Sequence, residues 1–253
     1  MDLASILGFT TAVLAILIAL TLEGNSLAAL LNFPAIIIIL GGTIGATVFS
    51  YPLKELLHVP QLLKYVFQND NVDLENTIDT LVNLAETARR EGLLALENHV
   101  QQFEDRLLRH GITFAVDGID PEEIRRVLEN EIIRRQQFFK TGAGIFETAG
   151  GYAPTMGIIG TVIGLVHVLS NISDTTKLAA AIAVAFLATL YGIASANILW
   201  LPMAGKLKAR AGEQAVKDQI IIEGILDIVQ GKNPRLIRRE LGILAGLDTF
   251  NEG

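Results

Sequence analysis

Cysteine is absent from all 253 residues. Disulfides, thiolate nucleophiles and cysteine-held metals are thereby excluded, although the compartment is not fixed. Charge is also scarce: Asp, Glu, Lys and Arg make up 19% of the chain against 51% hydrophobic residues, and the mean hydropathy is +0.44. An ordinary soluble domain carries more charge than that, so the composition points to a membrane protein. The charges that exist interleave signs around a net −7, which leaves no basic face for nucleic acid. A phosphate-cradling glycine loop, a cluster of metal ligands and a nucleophile beside a base are missing too. An enzyme is therefore the least favoured class, and no cofactor is expected.

Long apolar runs, by contrast, are present. Residues 3–22, 24–53, 148–173 and 178–205 carry no Asp, Glu, Lys or Arg, and each meets the roughly 20 residues a helix needs to cross hydrocarbon. The reading is an all-α polytopic membrane protein with four transmembrane helices. Asp2 stands where a secretory leader would carry a basic residue, and no small-residue cleavage site follows, so the first run is kept as a helix. Eleven Lys and Arg lie between Lys54 and Lys140, eight between Lys206 and Arg239, and Lys177 stands apart. That bias places both polar segments, and both termini, in the cytoplasm. The division expected is 1–52 for the first two spans, 53–143 for a helical cytoplasmic domain, 144–205 for the last two spans, and 206–253 for a cytoplasmic helix and tail.

Within the cytoplasmic parts, apolar residues recur at helical spacing. Leu53–Phe67 reads as one helix, ended by QNDN at Gln68–Asn71. Another starts at Asp73 as N-cap and runs to Gly92, and a third covers Leu93–His110 with Gly111 as its C-cap. Asp120, Pro121 and Glu123 form a helix start that should feed into the third span without interruption. Residues 206–229 read as an extension of the fourth span, broken at GKNP.

The third span, GGYAPTMGIIGTVIGLVHVL at 150–169, is interrupted by Pro154 and three interior glycines. Interior glycine costs a helix about 0.5 to 1 kcal/mol relative to alanine, so a plain anchor would use leucine. Gly157, Gly160, Thr161 and Gly164 share one helix face, as do Ala181, Ala185, Ala188, Gly192 and Ala196 on the fourth span, with Thr189 and Ser195 close by. Small-residue stripes let helices approach closely in lipid, within the chain or against a partner. No Asp or Glu sits at mid-depth in any span. If ions cross here, the carboxylate such paths usually hold must come from another polypeptide.

GGYAPTMGIIGTVIGLVHVL, ATLYGIASANILWLPMAGKL (188–207) and RREGLLALE (89–97) together resemble the A subunit of the bacterial flagellar stator, the MotA/PomA family. The resemblance spans nearly the whole chain. It implies a homopentameric ring around a dimer of a B subunit (MotB/PomB type), whose single membrane helix supplies the ion-binding Asp. It also implies an inner-membrane location and torque delivered to the rotor protein FliG. By position, Arg89 and Glu97 match the rotor-binding charges, and Pro154 and Pro202 the prolines that couple ion binding to cytoplasmic movement. Thr161 and Thr189 match ion-path hydroxyls of the sodium-driven branch, which favours Na+ over H+; Ala188 departs from that branch, which has threonine there. Gly157, Gly160, Gly164, Ala185 and Gly192 would line the partner interface. The alternatives are an ExbB/TolQ-like energy-transducing subunit, which typically has three spans, or a membrane scaffold that transports nothing.

Overall fold

The computed structural model describes residues 2–22, 24, 30–68, 72–100, 102–170 and 175–247. Among them no strand occurs. The main helices are α1 (Leu3–Leu22), α2 (Phe33–Ser50), α3 (Val59–Phe67), α4 (Leu74–Glu91), α5 (Arg106–Val116), α6 (Pro121–Ser170), α7 (Thr175–Ser195), α8 (Leu201–Val229) and α9 (Pro234–Leu244). A π turn, Ile37–Gly41, lies inside α2, and another, Ala196–Trp200, joins α7 directly to α8. Among the described residues, four helices are long and apolar enough to cross a membrane. Apart from Gly24 and Gln68, the short connection at 23–29, the second at 171–174 and the QNDN break lie outside the described residues.

The chain divides into two compact units, residues 1–70 with 139–209 and residues 71–138 with 210–253. In the first, α2 starts at Asn32, whose Oδ1 accepts from the Ala35 amide at 3.1 Å, with Pro34 in the opening turn. The helix expected over Leu53–Phe67 is instead two pieces, Leu53–Leu56 and α3. Pro60 explains the break: it has no amide to donate to the Leu56 carbonyl four residues back, and it stands in the first turn of the new helix, where that amide is not required. Leu62 of α3 lies against Gly142 of α6, where a Cβ would come within 2.4 Å of its Cδ2.

The second unit holds a conventional aliphatic core. Leu81, Leu96, Leu107, Ile112, Ile124, Leu128, Ile220, Ile221 and Ile225 are fully buried, and each such side chain contributes about 1.5–3 kcal/mol by leaving water. Asp73 caps α4 as expected, accepting from the Asn76 amide at 2.9 Å. The third cytoplasmic helix differs. Leu93–Leu96 is a 3-10 turn, Glu97–Val100 a single helical turn, and α5 begins only at Arg106, capped by Asp105. Gly111 is not a C-cap but mid-helix, where a Cβ would lie 2.2 Å from Cδ1 of Ile225. The glycine serves close approach of α8, and the stop falls at Gly118, φ 71°. At the start of α6, Asp120 accepts from the Glu122 amide at 2.9 Å, while Glu123 pairs with Arg126 on the helix surface. From there α6 runs 50 residues unbroken into the apolar stretch.

Candidate functional site

The small-residue stripes of α6 and α7 close on each other within the chain. A Cβ on Gly157 would stand 3.0 Å from the Ala188 carbonyl oxygen and 3.1 Å from Cα of Thr189. On Gly192 it would stand 2.5 Å from the Ala153 carbonyl oxygen and 3.0 Å from Cα of Gly157. A Cβ on Gly160 would stand 2.7 Å from Cβ of Ala188, and one on Gly164 would stand 2.8 Å from Cβ of Ala185. The five residues assigned from the sequence to a partner interface thus form an intrachain seam; Gly157, Gly160, Ala185 and Gly192 are buried in it. Beside the seam, Ile158, Ile159, Val162, Val184 and Phe186 stay exposed.

Thr161 and Thr189 meet at this seam, with their Oγ1 atoms 2.5 Å apart. Thr161 Oγ1 also lies 3.1 Å from the Gly157 carbonyl oxygen, one turn back, and 3.0 Å from that of Ala185 across the seam. One hydroxyl oxygen therefore has three oxygens within 3.1 Å. With a single proton it can satisfy only one carbonyl, so the cluster is rich in acceptors. Ser195, by contrast, spends its hydroxyl on its own helix, donating to the Gly192 carbonyl at 3.1 Å.

The two prolines sit in different backbones. Pro154 stands inside continuous α-helix, leaving the Gly150 carbonyl without its usual donor. Pro202 is the second residue after the π turn, so its missing amide adds to an irregular stretch. Polar links absent from the sequence reading tie α2 to α6: Tyr51 Oη to Thr148 Oγ1 at 2.9 Å and Ser50 Oγ to Tyr152 Oη at 3.0 Å. The only sequence signal was a pair of tyrosines near span ends, which is where amphipathic rings gather.

In the second unit, Arg89 stands in the last turn of α4 and Glu97 follows the 3-10 turn; both are exposed, and no ion pair involves either among the described residues. Gly92 between them has φ 89° and ψ 162°, a conformation glycine alone adopts readily. Buried Leu96 anchors the far side of that turn.

A charged cluster in this unit escaped the sequence reading. Arg135 on α6 meets Asp218 on α8 at 2.5 Å and Asp105 at 3.8 Å, while Lys217 meets Asp105 at 2.7 Å. Burial pushes the Asp218 carboxyl above its ordinary value, against the opposing pull of Gln214 and Arg135. Burial acts on Asp105 too, but Lys217 and Arg135 outweigh it and hold that carboxyl below its ordinary value.

Four helices long and apolar enough to span, two of them joined along a small-residue seam that carries two hydroxyls, define a polytopic membrane protein. Residues 99–220 match the MotA/TolQ/ExbB proton channel family, and residues 6–92 match the motility protein A N-terminal family. The sequence is 40% identical to motility protein A of Bacillus subtilis over 242 residues, covering 95% of this chain and 90% of that protein. It is 33% identical to chemotaxis protein PomA of Vibrio alginolyticus, covering 94% and 92%. The fold matches the MotAB structure of C. jejuni with TM-score 0.93 at 32% identity, over 100% of this chain and 98% of that one. The chain belongs to the motility protein A family; it is a multi-pass membrane protein and not an enzyme.

Proposed function

We propose that the chain is the A subunit of a flagellar stator, forming a pentameric ring in the bacterial inner membrane around a B-subunit dimer. The B subunit supplies the ion-binding Asp, and the ring delivers torque to FliG. The observation that carries this reading is the acceptor-rich Thr161–Thr189 pair in spans that hold no mid-depth carboxylate. Such a site is half of an ion path. Its tight seam gives α6 and α7 one common backbone, and the exposed aliphatics beside it are the surface a B-subunit helix would slide past. The likeness to MotAB structures supports the same partner.

Reconstitution tests it. Liposomes holding this chain alone should conduct neither Na+ nor H+, and conduction should appear when the B subunit is added. Robust flux from the chain alone would sink the reading.

Arg89 and Glu97 are proposed as the rotor contact. Reversing either charge should impair swimming while leaving the protein in the membrane at normal amount, because exposed charges contribute only about 0–1 kcal/mol to folding. Loss of the protein from the membrane would instead make these residues structural.

For the ion we infer Na+. A hard cation stripped of water needs several oxygens, and the Thr161–Thr189 cluster offers hydroxyls beside carbonyls. Swimming speed should rise with Na+ at a fixed proton gradient, and Thr161→Ala and Thr189→Ala should shift the half-saturating Na+ upward. Speed indifferent to Na+ in the parent would make the hydroxyls packing groups, each satisfied one turn back.

A further inference from the structure

One cavity of the membrane unit is lined by neither Thr161 nor Thr189. It holds about 310 Å³ between the first turns of α1, the end of α3, and the stretch from the π turn to Lys206, a volume at the low end of the ~300–1,000 Å³ of ligand sites. Ala4, Gly8 and Ala12, four residues apart, make one wall. Gly8 is the opposite of Gly192: a Cβ there would meet nothing within 4 Å. Among the described residues no helix exploits its smallness, so the missing side chain leaves open volume instead.

Polarity is graded along the cavity. At its charged end Lys206 Nζ lies 2.5 Å from Asp2 Oδ2, Ser5 Oγ donates to the same oxygen at 2.6 Å, and the Asp2 amide donates to the Phe67 carbonyl at 3.0 Å. Deeper in, Phe9, Ile198 and Met203 make the lining apolar, relieved by Asn197, whose Nδ2 donates to the Ile193 carbonyl. Water is a poor occupant for such a lining, because it needs two to four polar partners. A membrane offers hydrocarbon at this depth. None of the residues of α1 is buried by the rest of the chain, so lipid reaches this wall.

We propose that the cavity binds one phospholipid from the leaflet on the Lys206 side, with an acyl chain lying along Gly8 and the phosphate against Lys206. The ion pair at the mouth decides between occupants. Asp2 and Lys206 present one charge of each sign side by side, which complements a headgroup carrying both phosphate and amine, as phosphatidylethanolamine does. A single charged side chain from a second copy would satisfy one and repel the other. The inference depends on the membrane location alone and stands apart from the stator reading.

The test uses the full chain purified in the complex it forms in the membrane, equilibrated with phosphatidylethanolamine bearing a diazirine on the acyl chain, irradiated and mapped by peptide mass. Label should concentrate on residues 4–12 and 197–203, about fivefold above residues 13–22 of the same helix, a ratio that corresponds to roughly 1 kcal/mol of preference. Gly8→Phe fills the volume from a position with no neighbour to strike, and should remove the excess while the complex elutes unchanged. Ala12→Phe fills it from the same wall and should do likewise if Gly8→Phe assembles poorly. Even labelling along α1, or an excess that survives both substitutions, would overturn the proposal. So would chain-to-chain cross-linking from benzoylphenylalanine substituted at Phe9, which would assign the cavity to a neighbouring copy.

Discussion

Gly192→Ala should force α6 and α7 apart and reduce swimming to background, although it adds a single methyl group. The added Cβ would sit 2.5 Å from the Ala153 carbonyl oxygen and 3.0 Å from Cα of Gly157. Both obstacles are backbone, so no rotamer change relieves them, and the helices themselves must move. Overpacking of this kind costs typically about 1–3 kcal/mol. Lipid offers no hydrophobic drive to push the helices back together, so the gap persists. The Thr161–Thr189 contact lies one turn away on the same seam, and its 2.5 Å separation cannot survive a displaced α7. Gly45→Ala is the control: a Cβ at Gly45 meets nothing within 4 Å, so the substitution should leave swimming unchanged and firm the helix slightly. Membrane content by immunoblot, swimming halo and ion flux with the B subunit check the pair. Normal flux in Gly192→Ala would mean that the seam tolerates separation.

The membrane part of this fold was open to reading in advance because its signal is long. Twenty uncharged residues mean one thing in a protein, and the bounds expected for the first span, Leu3–Leu22, are those of α1. The glycine stripes were readable as close-packing surfaces for the same reason of periodicity. Which surface they met was not, since a stripe facing α7 and one facing a partner have the same spacing. The cytoplasmic part was harder. Gly111 reads as a helix stop when only the chain is seen; its true cause is Ile225, more than a hundred residues away. The break ahead of Pro60 follows from a local rule, the amide that proline lacks, yet helical spacing on either side of it masked the signal. The π turns left no mark in the sequence at all, because the apolar pattern tolerates one extra residue without losing its face.

Long-range charge was likewise hidden, and it carries the second large effect. Arg135→Ala should destabilise the cytoplasmic unit by about 3 kcal/mol, in line with breaking a buried ion pair by removing one partner. The side chain of Asp218 is fully buried, its Oδ2 has no hydrogen-bond partner among the described residues, and its Oδ1 is shared between Arg135 and Gln214. Without the guanidinium, the Gln214 amide and the weaker pull of the Lys217 charge remain to oppose burial. Asp105 keeps Lys217 and loses less. The pH dependence follows from the direction of the shift. Asp218 is already raised in the folded state by burial, so its ionised form works against folding, and protonation as pH falls through the folded value removes that penalty. Arg135→Ala raises the folded value further. The deficit should therefore be largest at pH 8 and shrink towards pH 5, and Asp218→Asn should recover much of it by replacing a buried charge with an amide. Thermal melting of the purified chain at the two pH values, for the parent, both single substitutions and the double, reads this directly. A drop of roughly 10 °C is expected for Arg135→Ala at pH 8. A drop of the same size at both pH values, with no recovery in the double variant, would show that Arg135 acts through its packing, with its charge contributing nothing to the fold.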